Sequence, residues 1–259
     1  MSLLQIAARD LQGRGRRSGD GPGTTMTNVY FLHGVGMWPG LYEPFLERFS
    51  GVGLAPARPG YDDRPPAGGF AAQISGVRAM LAEHGPGVLV GVSGGATVAL
   101  AAAVERVEGV EGVVTHEPLV GPLVPELHEL VSAAAHDVHD GEPARIDAFL
   151  WNLYGPSWGD IGGNAERWVA RHRLTVAREV AHFASFAPTL EALRSIAVPH
   201  VTTIGERSAQ PRRDVADLLA DCGAIVRTVP ECGHLVPLEN PAAFAAAIDD
   251  LLTRVGHPT

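Results

Sequence analysis

The run GVLVGVSGGATVALAAAV at residues 87–104 carries no charge, and its reading decides the fold. It is nearly as long as the roughly 20 apolar residues that span a bilayer as a helix. Its glycines argue against that. Gly91, Gly94 and Gly95 crowd around Ser93 and break the run into an apolar strand (87–92), a tight turn and an alanine-rich helix (95–106). A buried strand that feeds a helix through such a turn is the βα unit of a soluble protein.

The same alternation extends in both directions. Upstream, NVYFLHGVG (28–36) reads as a buried strand entering a glycine-rich loop, and LYEPFLERF (41–49) as an amphipathic helix. VGLAPARPGYDDRPP (52–66) reads as a short strand giving way to a loop, and 70–84 as a helix. Downstream come a strand over 112–116 that stops on His116, Glu117 and Pro118, then a strand at 199–205, a helix at 211–222, a strand at 224–230 and a helix at 241–254. This rhythm predicts an α/β fold with a mostly parallel, doubly wound sheet. Residues 121–195 keep helical periodicity without a strand. The expected organisation is therefore a core over 26–118 and 196–259, a helical cap at 119–195, and a loose Gly/Arg-rich arm at 1–25, with Met26 as an alternative natural start.

Composition narrows the partners. With 259 residues, 46% of them hydrophobic, one domain with a sizeable core is expected. A net charge of −9 repels phosphate backbones and anionic lipid, and the only dense basic run is RGRR at 14–17, so neither nucleic acid nor membrane is an expected partner. Cys222 and Cys232 are too few for a disulfide framework and fit no metal spacing; two reduced thiols are the favoured reading, a single bridge the minor one. The first 25 residues lack the continuous apolar segment of a secretory signal, which makes the cytoplasm the default location. His136 and His139 in HDVHD fall short of a metal ligand set and read as a solvated face, so neither metal nor cofactor is expected.

The chemistry gathers at strand ends. GVSGG at 91–95 fits G-x-S-x-G, a motif that means something only between a strand and a helix, where a strained turn exposes the serine hydroxyl. A serine hydroxyl needs a base within reach, and His234, in the Gly-flanked loop ECGHLVPLENP after the last predicted strand, falls at the same edge of the sheet. The amides of Val35 in LHGVG and of Gly94 are placed to hold a developing oxyanion.

LHGVG, GVSGG and CGHLVPLENP, in this order, resemble the α/β-hydrolase superfamily over residues 28–254. The resemblance implies a serine nucleophile, a histidine base and an acid that usually sits in a G-x-x-D stretch after the strand ending near 204. Here GERS puts Ser208 in that place. Some members carry the acid one strand earlier, where Glu117 stands, 24 positions after Ser93. In this the chain is similar to zearalenone-lactonase-type hydrolases. Glu206 and Asp214 stay open as alternatives, as does a purely structural Glu117.

The resemblance thus implies a serine hydrolase acting on a carboxylic ester or lactone through an acyl-enzyme. Ser93, His234 and Glu117 would form the triad, and Val35 and Gly94 the oxyanion hole. Trp151, Tyr154, Trp158, Trp168 and Phe183 in the cap are candidate pocket residues, which favours a small substrate of apolar or ring character. A homodimer is one expectation for assembly. Other readings are a non-hydrolytic ligand-binding protein and a cofactor-free lyase or cyclase on the same scaffold.

Overall fold

The computed structural model describes residues 27–46, 53–61 and 69–256. The expectations for the arm, the start at Met26 and parts of 41–49 and 52–66 lie outside these residues. Among those described, six strands form one sheet: β1 (Asn28–Leu32), β2 (Gly53–Leu54), β3 (Gly87–Val92), β4 (Val110–His116), β5 (His200–Gly205) and β6 (Ile225–Val229). Their order is β2-β1-β3-β4-β5-β6, and every pairing is parallel, a stricter arrangement than mostly parallel.

Three helices fall between the first four strands: α1 (Glu43–Leu46), α2 (Gly69–His84) and α3 (Gly94–Val104). Five more separate β4 from β5: α4 (Pro125–Asp137), α5 (Pro143–Tyr154), α6 (Ser157–Asp160), α7 (Gly163–Ala184) and α8 (Leu190–Arg194). Then α9 (Gln210–Asp221) joins β5 to β6, and α10 (Val236–Glu239) and α11 (Pro241–Val255) close the chain's described part. The strandless stretch in the sequence is thus a wholly helical insertion.

Burial explains the uncharged run. Both β3 and β5 are buried at every position, as strands covered by helices on both faces must be; β3 accordingly reads as a continuous apolar stretch, while β5 buries His200, Thr202 and Thr203 with hydrogen-bond partners on or beside β4. α3 is buried on nearly all sides, which removes any need for a polar stripe. No helix among the described residues is long and apolar enough to cross a membrane.

The chain first builds β1 and β2, then returns to lay β3 on the other side of β1. Loops leaving β1 and β3 therefore diverge at their C-terminal ends, the crevice where open α/β sheets take ligands. Two glycines let the backbones meet there. A Cβ on Gly95 would stand 1.9 Å from the carbonyl oxygen of Leu32, and one on Gly91 would stand 2.4 Å from the Gly95 carbonyl. Gly95→Ala should therefore lower unfolding free energy by about 1–3 kcal/mol or more, whereas Gly159→Ala, whose methyl meets nothing nearer than 3.8 Å, should be neutral or mildly stabilising; urea unfolding of both tests the close approach.

Candidate active site

Ser93 sits between β3 and α3 with φ 54° and ψ −120°, a conformation that costs a non-glycine residue about 1–3 kcal/mol. The turn is held from below: the Ser93 amide donates to the His116 carbonyl at 2.8 Å, and Thr97 returns its N–H to the Ser93 carbonyl at 2.9 Å. Gly94 is the first residue of α3, so its amide lacks an intrahelical acceptor and lies at the positive end of the helix dipole. The ring of Phe183 covers it; a Cβ on Gly94 would come within 2.3 Å of that ring.

Glu117 leaves β4 in the left-handed region, φ 51°, and its side chain is fully buried. Its Oε2 accepts from Nδ1 of His234 at 2.5 Å, and the Arg212 guanidinium lies 3.4 Å from the same oxygen. Oε1 accepts from the Gly205 amide at 3.1 Å and from the Ser208 hydroxyl. Burial alone would raise the Glu117 pKa, but His234, His116 and Arg212 together hold it far below the usual carboxylate range. An ionised carboxylate only accepts, so Nδ1 of His234 carries the proton and Nε2 presents a lone pair. That Nε2 is buried and has no hydrogen-bond partner, Ser93 included. Burial first, and then Arg212, pushes His234 down to about 4 despite Glu117 beside it.

His116 ties the parts together. Its carbonyl takes the Ser93 amide, and its Nε2 donates to the carbonyl of Gly233 at 3.1 Å, just before His234. Nδ1 then accepts from the Thr203 hydroxyl at 2.9 Å. With both nitrogens engaged and Glu117 already holding several donors, the His116, Glu117 and His234 group has no free ligand atoms for a metal ion except Nε2 of His234.

Val35 lies buried in the loop after β1. The carbonyl of Gly34, on the same peptide as the Val35 amide, accepts from Nδ1 of His33 at 3.0 Å and from the Met37 amide at 3.3 Å. His33 in turn accepts the Arg58 amide on Nε2, and its carbonyl accepts Nε of Arg58 at 2.6 Å.

A sequence model described as the alpha/beta hydrolase family matches residues 29–247, most of the chain. The chain belongs to the alpha/beta hydrolase family. Among solved structures, this hydrolase is similar to MGS-M2, an alpha/beta hydrolase enzyme from a Medee basin deep-sea metagenome library, with TM-score 0.73 and 18% identity over 90% of this chain and 92% of that one. A thermophilic esterase from Thermogutta terrifontis gives TM-score 0.68 and 21% identity, covering 91% and 92%. The enol-lactonase from Burkholderia xenovorans LB400 gives 0.66 and 16%, covering 89% and 92%. At such identities the likeness concerns the fold alone. No curated protein matches in sequence.

In this hydrolase the insertion's aromatic residues divide. The ring of Tyr154 stacks on His234 at 5.5 Å and on Trp158 at 5.3 Å; Trp168 stacks on Tyr61 at 5.6 Å and 2°; Phe183 lies over Gly94. Trp151 departs from its expected pocket position: it is 52% exposed, near Gly159, because its neighbours Leu150 and Tyr154 take the inward face of α5. The rival acids are accounted for at the surface. Glu206 accepts the Glu231 amide, and Asp214 accepts Nε2 of Gln210, one turn earlier on α9. Both cysteines are free, and His136 and His139 are exposed and stacked on each other.

Several contributing residues escape a reading of motifs. Arg58 and Glu179 form a buried ion pair, Tyr61 joins it, and Ser208 and Arg212 grip Glu117. One signal was available for Glu179: it falls on the helix face marked by buried Thr175, Val176, Val180 and Phe183, where a carboxylate demands a partner.

Four buried histidines, His33, His116, His200 and His234, have their pKa values lowered, in each case first by burial. The unfolded chain binds protons at these sites from about pH 6.5 downward, the folded chain only at lower pH. Stability should therefore fall as pH drops from about 6.5 towards 4, before Glu117 begins to protonate. Urea midpoints across this window, with calorimetric proton uptake on unfolding at about pH 5.5 of more than one proton, check the sign.

Proposed function

We propose that this hydrolase cleaves a carboxylic ester or lactone through an acyl-enzyme, with Ser93, His234 and Glu117 as the triad. The observation that carries the proposal is the 2.5 Å bond from His234 to Glu117, which leaves Nε2 as a buried, unpartnered base at the same sheet edge as the strained Ser93 turn. In this reading the bond between Ser93 and Nε2, absent in the free chain, forms in the substrate complex, where catalytic hydrogen bonds commonly tighten.

The Ser93 hydroxyl attacks the carbonyl carbon while its proton passes to Nε2 of His234. The negative charge on the former carbonyl oxygen falls to the amides of Val35 and Gly94. Glu117 keeps the ring in its tautomer and stabilises the imidazolium, which then protonates the leaving alkoxide. Water, deprotonated by the same Nε2, attacks the acyl-enzyme and releases the acid and Ser93. In a lactone, alcohol and acid leave as one molecule.

The helical insertion serves as the cap in this reading. Tyr154 and Trp158 bring ring surface beside His234 and Phe183 lies over Gly94, while Trp168 packs on Tyr61 and His172; this favours an apolar or ring-bearing acyl or alcohol group. The acid's position supports the likeness to zearalenone-lactonase-type hydrolases.

Hydrolysis of a short p-nitrophenyl ester, with fluorophosphonate labelling of Ser93, tests the proposal. Glu117→Gln should lose on the order of 10⁴ in turnover, Ser93→Ala should lose both turnover and label, and Asp214→Asn should match wild type. Wild-type rates in Glu117→Gln would return Glu117 to a structural role at a strand end. An unlabelled wild type that binds without turnover would favour the ligand-binding reading, and activity surviving Ser93→Ala the lyase or cyclase one.

A further inference from the structure

The peptide that follows the Val35 amide is pinned at one end by the helical insertion and at the other by Tyr61, which the insertion holds in turn. Its carbonyl, that of Val35, accepts the Tyr154 hydroxyl of α5 at 2.6 Å. Its N–H, that of Gly36, donates to the Tyr61 hydroxyl at 3.0 Å. Because that oxygen is already an acceptor, the Tyr61 proton goes onward to Oε2 of Glu179 on α7, at 2.6 Å. Glu179 is anchored by the buried Arg58 guanidinium. The result is a directed chain from amide to phenol to carboxylate, with the guanidinium donating to that carboxylate from its other side, and every member is buried.

Packing says the same as the hydrogen bonds. Gly36 has φ +71°, and a Cβ there would stand 2.8 Å from Leu150 of α5. The insertion therefore rests directly on the loop's backbone. The adjoining peptide is held from the core side, where His33 and Met37 donate to the Gly34 carbonyl. Two successive peptides are thus fixed by independent groups, and the Val35 N–H that hangs between them has little freedom left. Donation to the Gly34 carbonyl also polarises that N–H and makes it a stronger donor.

We infer that the insertion sets the oxyanion hole: Tyr154, and Glu179 acting through Tyr61, are positioning residues that orient the Val35 amide. The inference rests on the serine-hydrolase reading and deepens it. The insertion then does more than cover substrate, because any motion that lifts α5 or α7 also releases the donor that must meet the developing charge. Only a loop held before the reaction stabilises that charge without reorganising as it forms.

The test uses Tyr154→Phe and Tyr61→Phe, which keep ring packing and remove one hydroxyl each. Glu179→Gln is avoided because it would strand the Arg58 charge. Three quantities are read: single-turnover acylation by a p-nitrophenyl ester, affinity for 1,1,1-trifluoro-4-phenylbutan-2-one, whose serine adduct needs the oxyanion hole, and affinity for 4-phenylbutan-2-one, which forms no stable adduct. Each variant should lose about tenfold in acylation and in trifluoroketone affinity, while KM and the methyl ketone move by less than about twofold. Acylation and trifluoroketone affinity at wild-type levels, or an equal loss for both ketones, would overturn the inference. Should Tyr154→Phe lose cooperative thermal unfolding, Tyr61→Phe decides alone, since it leaves the Tyr154 and His234 stack intact. A wild type that neither acylates nor prefers the trifluoroketone would instead overturn the hydrolase reading.

Discussion

Strand register is the constraint on which the rest of the site depends. Leu32 pairs with Gly91, Val92 with His116, and His116 with Thr203. Each pair is the last or nearly last rung between its strands. The loop after β1, the Ser93 turn, Glu117 and the Gly205 amide therefore leave the sheet at one height, side by side. A slip of one residue in any of these pairings would turn a side chain to the other face and separate the groups by a full rung. The close approach of Gly95 to Leu32 locks the first rung, because no bulkier residue leaves room for the two backbones. The geometry of the candidate site is largely a by-product of sheet pairing, with side chains supplying the final adjustment.

Much of this was readable beforehand, for a physical reason. Buried parallel strands and amphipathic helices leave their period in the residues, so β3 was read at its observed bounds and α2, α9 and α11 to within a residue. Motifs confined to a strand end, such as Ser93 with its glycines, are local and equally legible. The choice among Glu117, Glu206 and Asp214 was harder, since reach depends on torsions. Glu117 adopts φ 51°, unusual for a residue with a side chain, and nothing in its neighbours announces it. Ser208 is a related case. It was visible as a serine at the customary place of the acid, but its role as a donor to Glu117 emerges only when β4 and β5 lie together.

What stayed hidden is long-range pairing of polar groups. Arg58 and Glu179 are 121 positions apart, and no periodicity links a loop after β2 to the middle of α7. Such a pair is weak evidence for stability, because desolvating two charges consumes most of their attraction, and apolar residues of similar volume often do as well. Its value lies in direction. Apolar packing would hold α7 against the loop, yet only a carboxylate at Glu179 gives the Tyr61 proton a fixed destination, and so only it orients the Gly36 amide. Trp151 shows the converse error: counting aromatic residues in a small insertion implies that some face inward, but helix phase decides which, and Leu150 and Tyr154 already occupy that face.

Burial and Arg212 together set the electrostatic character of the His234 and Glu117 pair. Beside a lone carboxylate, an imidazole gains basicity, since the negative charge stabilises the protonated ring. Here the same Oε2 that accepts from His234 also faces a guanidinium 3.4 Å away, while Oε1 is engaged by Gly205 and Ser208. Burial disfavours the charged ring first, Arg212 adds to that, and the shared carboxylate offsets only part of both, so His234 falls below its ordinary pKa instead of rising above it. His234 is thereby kept unprotonated into the acid range, and the protonated ring that the proposed mechanism requires receives less support from Glu117 than an unshared acid would provide.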